Sequence, residues 1–149
     1  MSPRRAFDEP TTRQRVIETL RAASSNEPGI ELLVLFGSVA RGEDHPASDV
    51  DLLLDGPSAR DVDALTRLRG SLSEDLGRSI GLLTLSEGMH VAPVLAGALR
   101  DGIVVTDRCD RWASVLEMRG EVEQTAAAEI ENYPARRVAA LARLSRSLA

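Results

Sequence analysis

Two carboxylates set two residues apart, Asp49 and Asp51, open onto the apolar run Leu52-Leu53-Leu54. On an extended chain residues i and i+2 share a face, so both acids point one way while Val50 points the other. Carboxylates side by side repel unless a cation lies between them, and hard oxygen ligands of this kind suit magnesium. Upstream stands Gly37-Ser38. At Gly37 a phosphate can approach the backbone closely, and the Ser38 hydroxyl and neighbouring N–H groups can donate to phosphate oxygens. Arg41 offers a fork of donors to the same anion, and Gly42 relaxes the turn. Together these residues describe a triphosphate seat facing a metal mount.

Such a constellation needs two strands and a polar connection. IELLVLF (30–36) has the length and composition of a buried strand, GSVARGEDHPAS (37–48) reads as a loop, and DVDLLLD (49–55) as a second strand. Before them, Thr11 or Thr12 caps a helix to about Ser24, with Val16, Ile17, Leu20 and Ala23 on one side, and Asn26-Glu27-Pro28-Gly29 ends it. After them, Ser58 and Asp61 resemble a capping box. Val62, Leu65, Leu68, Leu72 and Leu76 then recur at spacings of three and four, predicting a helix over 59–76 stopped by Gly77. A third strand is expected over 79–85, a helix near 88–100, a short strand over 103–107, and a helix over 109–132. Pro134 then precedes a last amphipathic stretch carrying Val138, Leu141, Leu144 and Leu148. Residues 1–10 read as a flexible arm.

A chain of 149 residues fits one domain with a core of its own. The single Cys109 excludes an intrachain disulfide, and with only His45 and His90 beside it there is no cluster of zinc spacing. His45 reads as a solvent-exposed loop residue, His90 as a helix-start surface residue, and Trp112 and Tyr133 as core or interface filling. No apolar segment reaches the length of a membrane span and the first residues lack a signal-type apolar region, so a soluble, cytoplasmic protein is expected. A net charge of −5 disfavours a general nucleic-acid binder. The charge is uneven. Segment 117–131 carries Glu117, Glu121, Glu123, Glu129 and Glu131, whereas 135–149 carries Arg136, Arg137, Arg143 and Arg146, a polarity that suits solvated helix faces or a docking surface.

Gly37-Ser38, Ala40-Arg41-Gly42 and Ser48-Asp49-x-Asp51 resemble the signature of the polymerase-beta-like nucleotidyltransferases, and within them the minimal nucleotidyltransferases, or MNT proteins. The resemblance extends to about Arg108. It implies an α/β (α+β) fold, a small mixed sheet flanked by helices, with a nucleotidyltransferase domain over 11–108 and a C-terminal helical extension over 109–149 that packs on the domain or on a partner. It also implies transfer of a nucleotidyl group from a nucleoside triphosphate, with ATP expected, to an acceptor hydroxyl with pyrophosphate leaving. By position Asp49 and Asp51 become the catalytic metal ligands, Gly37, Ser38, Arg41, Gly42 and Ser48 the phosphate and nucleotide contacts, and two magnesium ions the clamp on attacking and leaving oxygens.

The pattern departs at one position. Relatives of this type carry a third carboxylate in a run resembling Arg-x-Val-Asp-Leu-Val-Thr, where this chain has Arg78-Ser79-Ile80-Gly81-Leu82-Leu83-Thr84. Gly81 holds the place of the acid that helps activate the acceptor hydroxyl, and Glu74, Asp75 and Glu87 are the nearest acids in sequence. Three roles stay open. One is the antitoxin of a two-gene module that modifies a helical HEPN-type toxin; another is a partner-binding antitoxin without turnover, which Gly81 favours. The third is a small-molecule nucleotidyltransferase of the antibiotic-modifying type, for which about 40 residues after Arg108 provide little material unless a homo-oligomer supplies the other wall.

Overall fold

Short runs of Leu, Val and Ile form the strands of the computed structural model, which describes residues 11–132. They are Leu32–Phe36 (β1), Val50–Asp55 (β2), Ile80–Thr84 (β3) and Ile103–Asp107 (β4). The sheet order is β3-β2-β1-β4. β1 runs antiparallel to β2 and β4, while β2 and β3 are parallel, so the sheet is mixed as the resemblance implied. β1 and β3 are buried at every residue, because helices cover both faces.

The helices are Thr12–Ser25 (α1), Ser38–Arg41 (α2), Val62–Leu76 (α3), Leu85–Gly88 (α4), Ala92–Asp101 (α5), Arg111–Leu116 (α6) and Arg119–Asn132 (α7). Strand alternation divides the core in two. Leu33, Leu35, Leu52, Leu54 and Leu82 meet Val16 and Leu20 of α1 and Leu72 of α3. Val34, Phe36, Leu53 and Leu83 meet Leu95 and Leu99 of α5, Trp112 of α6 and Val122 of α7. Trp112 therefore fills core, as its setting in the sequence predicts.

α1 starts where expected. The Thr11 hydroxyl accepts from the Gln14 N–H at 3.1 Å, and Gln14 Oε1 accepts from the Thr11 N–H at 2.7 Å, a reciprocal capping box. Its far end is closed by a residue 84 positions away, for Arg108 donates to the Ser24 carbonyl at 2.6 Å and to that of Glu27 at 3.2 Å. Carbonyls of a last helical turn lack partners within the helix, and a guanidinium supplies them.

Several boundaries differ from the sequence expectations. The run 37–48 is not all loop, since Ser38–Arg41 forms one helical turn. α3 begins at Val62 rather than 59, because Asp61 itself is the cap, accepting from the Asp63 and Ala64 N–H groups. Ser58 instead donates to Glu27 at 3.0 Å, and Val62, placed on the apolar stripe, is 75% exposed. Leu85 opens α4 rather than ending β3, with Thr84 and Glu87 forming a second capping box. The helix expected near 88–100 is α5, at Ala92–Asp101. The stretch 109–132 is two helices, α6 entered through the Asp107 carboxylate, which accepts from the Arg111 and Trp112 N–H groups. The arm 1–10, Tyr133, the break at Pro134 and the basic stretch 135–149 lie outside the described residues. Among the described residues no helix is long and apolar enough to cross a membrane.

Candidate functional site

One end of the sheet gathers the residues singled out in the sequence. There β1 ends while β2, β3 and β4 begin, and the register pairs Phe36 with Asp51, Asp51 with Gly81, and Leu35 with Ile103. Asp51 shares strand parity with Leu53, whose side chain packs on the α5 layer, so its carboxylate lies on that face of the sheet. Asp49 immediately precedes β2 and is, like Asp51, half-buried.

Gly37 follows β1 and turns the chain back over Asp51. Its φ is +81°, and a Cβ built on it would collide with Oδ2 of Asp51. Only glycine satisfies both the backbone angle and the close approach, so the turn and the carboxylate are packed as one unit. Ser38 then begins α2, whose turn is closed by the Arg41 N–H donating to the Gly37 carbonyl at 3.1 Å. The first N–H groups of such a turn have no acceptor within it and remain donors for an anion. Gly42 ends the turn in the left-handed region at φ +71°, which is the reason for a glycine there.

The connection from Gly42 to Asp49 is tied down twice. Ser48 Oγ accepts from the His45 N–H at 2.9 Å, and His45 Nδ1 accepts from the Ala47 N–H at 3.2 Å, so His45 shapes the loop that it was expected only to decorate. Arg78, just before β3, pairs with Asp44 at 2.9 Å, the two side chains 14% and 11% exposed. The same guanidinium reaches the Ser48 carbonyl at 3.5 Å, and the Val50 N–H donates to the Ser79 carbonyl at 2.9 Å. Asp49 is thus delivered by a loop clamped to the start of β3. Sequence reading missed Arg78 and Asp44 in this role, and a separation of 34 positions gave no local signal of their pairing.

Arg41 stands on the rim. It pairs with Glu43 at 2.9 Å and with Asp101, at the end of α5, at 3.1 Å. The hydrogen bond to Glu43 and then that to Asp101 raise its pKa, securing the charge. An incoming triphosphate would compete with two carboxylates for this guanidinium.

The donor set fits a hard divalent cation. Asp49 and Asp51 stand two residues apart at the start of β2, the Gly37 turn packs directly on Asp51, and carboxylate oxygens are donors of the kind such an ion takes. Among the described residues no group of three or more His, Cys, Asp or Glu side chains converges as a metal cage. Two protein carboxylates together with phosphate oxygens are the ligands expected of magnesium, which keeps few protein ligands.

A second charged cluster occupies the opposite end of the sheet. Arg111 joins Asp55 and Glu31, and the exposed Cys109 thiol donates to Glu31 at 3.2 Å. That hydrogen bond raises the thiol pKa.

Comparison with known proteins agrees with this fold. The sequence profile described as "Polymerase beta, Nucleotidyltransferase" matches residues 18–111. A curated protein of Methanocaldococcus jannaschii, named "Putative protein adenylyltransferase", is 36% identical over 56 residues, 38% of this chain, and the match spans only 60% of that relative's length. The fold resembles a chain of a crystal structure described as a toxin–antitoxin with AMP-PNP, at TM-score 0.60 and 22% identity, covering 80% of this chain and 93% of that one. It also resembles a chain of the Shewanella oneidensis complex described as tri-AMPylated HEPN toxin with MNT antitoxin, at TM-score 0.60 and 17% identity, covering 80% and 93%. These two likenesses are likenesses of fold.

Proposed function

This chain belongs to the polymerase beta nucleotidyltransferase family, and from that premise we propose that it transfers a nucleotidyl group, with ATP as donor, to a hydroxyl of a partner protein. The observation that carries the reading is the packing of Asp51 under the Gly37 turn. It unites a carboxylate mount and a phosphate seat in one rigid element.

Asp49 and Asp51 would hold magnesium, which when bound neutralises triphosphate charge and polarises the α-phosphate. The Gly37, Ser38 and following backbone N–H groups and the Ser38 hydroxyl grip phosphate oxygens, while Gly42 shapes the turn. Ser48 accepts within its loop through Oγ, leaving its own O–H to donate. Arg41, held on the rim by Glu43 and Asp101, turns the remaining donors of its guanidinium to the anion. The acceptor oxygen bonds to the α-phosphorus, the bridging P–O bond to the β-phosphate breaks, and pyrophosphate departs with that electron pair. The acceptor proton passes to solvent or to a base on the partner, because Gly81 places no carboxylate beside Asp51.

The partner we propose is a helical HEPN-type toxin, with this chain as its MNT-type antitoxin. The fold likeness to chains of toxin–antitoxin complexes supports this role, and so does the name of the curated relative. The acidic stretch from Glu117, at the end of α6, into α7, with Glu117, Glu121 and Glu123 exposed, offers a docking surface. Gly81 favours a second reading, in which the chain neutralises its partner by binding alone. Incubation of the chain and the protein encoded beside it with magnesium and each α-labelled nucleoside triphosphate separates the two. Label on the partner, absent with Asp49→Ala/Asp51→Ala, is the expected result; a tight complex without label would replace transfer by binding.

A further inference from the structure

The other acids near the site are engaged elsewhere or lie on the other face of the sheet, and this limits the cations it can hold. Asp44 is paired with Arg78 in a largely buried bridge. Glu43 and Asp101 flank Arg41. Glu87, three residues beyond β3's Thr84, accepts from the Thr84 N–H at 3.0 Å and belongs to the cap of α4. Asp75, near the end of α3, lines a cleft between α1 and α3 on the other face of the sheet from Asp51. The neighbour of Asp51 in register on β3 is Gly81, which brings no oxygen ligand from its side chain.

Two divalent cations about 3.5–4 Å apart repel four times as strongly as two unit charges at that distance. The pair persists only where oxygen ligands of the protein, together with those of the triphosphate, surround both ions. Beside the triphosphate, Asp49 and Asp51 are the side-chain carboxylates that this end of the sheet offers, and among the described residues no third acid joins them, a protein ligand set suited to one dication. We infer that this chain holds a single divalent cation with its triphosphate, and that position 81 is where the ligand of a second would have to stand. The inference rests on the nucleotide-binding reading above and deepens it. It also predicts that the acceptor hydroxyl is activated by something other than a second ion of this chain.

The test counts manganese ions, used as the probe, by electron paramagnetic resonance at saturating non-hydrolysable ATP analogue, for wild type and Gly81→Asp. One bound ion per chain with an isolated-ion spectrum is expected for wild type, and two ions with spin–spin coupling for Gly81→Asp. Two coupled ions in wild type would overturn the inference while leaving the nucleotide site standing. No bound ion and no bound analogue would overturn both. One ion in a folded Gly81→Asp would refute the assignment of position 81. Should that variant fail to fold, the wild-type count decides alone, and Asp51→Asn, which removes a ligand without adding charge, must lose the ion.

Discussion

Asp51 and Gly81 are register partners on the parallel strands β2 and β3, on the same face of the sheet and about 4.8 Å apart as adjacent strands are. A carboxylate introduced at 81 would therefore stand directly beside Asp51. Without a cation, Gly81→Asp should destabilise the fold by about 2 kcal/mol, the cost of a charge with like charges for neighbours at a buried position. Magnesium should restore most of that loss. Thermal unfolding of the variant with and without magnesium checks this; a melting temperature indifferent to the ion would contradict the placement. Transfer by the variant should rise by about 10²-fold, the lower end of what a positioned base contributes.

Gly37 and Gly70 should respond in opposite ways to the same substitution. Gly37→Ala sets a Cβ against the Asp51 carboxylate at positive φ, costing about 1–3 kcal/mol and weakening triphosphate binding. Gly70 lies within α3 with open space where its Cβ would be, so Gly70→Ala should stabilise by about 0.5–1 kcal/mol and leave binding unchanged. Urea unfolding and a binding titration on both variants read the contrast.

Breaking the Arg78–Asp44 pair should injure stability and site separately. Arg78→Gln strands the Asp44 carboxylate in a largely buried place, a loss of about 3 kcal/mol. Arg78→Met/Asp44→Leu should regain much of that stability, since neither charge is left buried alone. Triphosphate affinity should stay reduced in the double variant, because the Ser48 carbonyl has lost its anchor. Recovery of both together would show that the pair serves stability only.

The Cys109 thiol donates to the Glu31 carboxylate, which raises its pKa above the ordinary value. The reactive thiolate should then appear at higher pH than for an ordinary thiol, whose midpoint is about 8.5. Alkylation by iodoacetamide across pH should show that high midpoint. Glu31→Gln should lower it and speed alkylation near neutrality; an unchanged midpoint would refute the coupling.

The strands and their acids were legible because their signals are local. Asp-x-Asp parity needs two residues, and a buried strand announces itself in five or six. Gly37 could be marked as a phosphate approach, but its packing against Asp51 depends on β1 pairing with β2 and follows only from the register. The start of α3 was misread because Ser58 and Asp61 both suit a cap. Ser58 is drawn to Glu27 across 31 residues, and Asp61 takes the cap itself. Arg78 with Asp44, and Arg41 with Asp101, are choices among many charges made only by folding. Position 81 was the reverse case, where the alignment of a motif named the residue and the sheet supplied its neighbour.

The most direct test is an equilibrium titration of the chain with a non-hydrolysable ATP analogue, with magnesium and with chelator, for wild type and Asp49→Asn/Asp51→Asn. Binding by wild type that weakens at least about 10²-fold without magnesium, a loss of roughly 2.7 kcal/mol, and is lost in the folded double variant, is the predicted result. Binding that persists unchanged without either carboxylate would contradict the site.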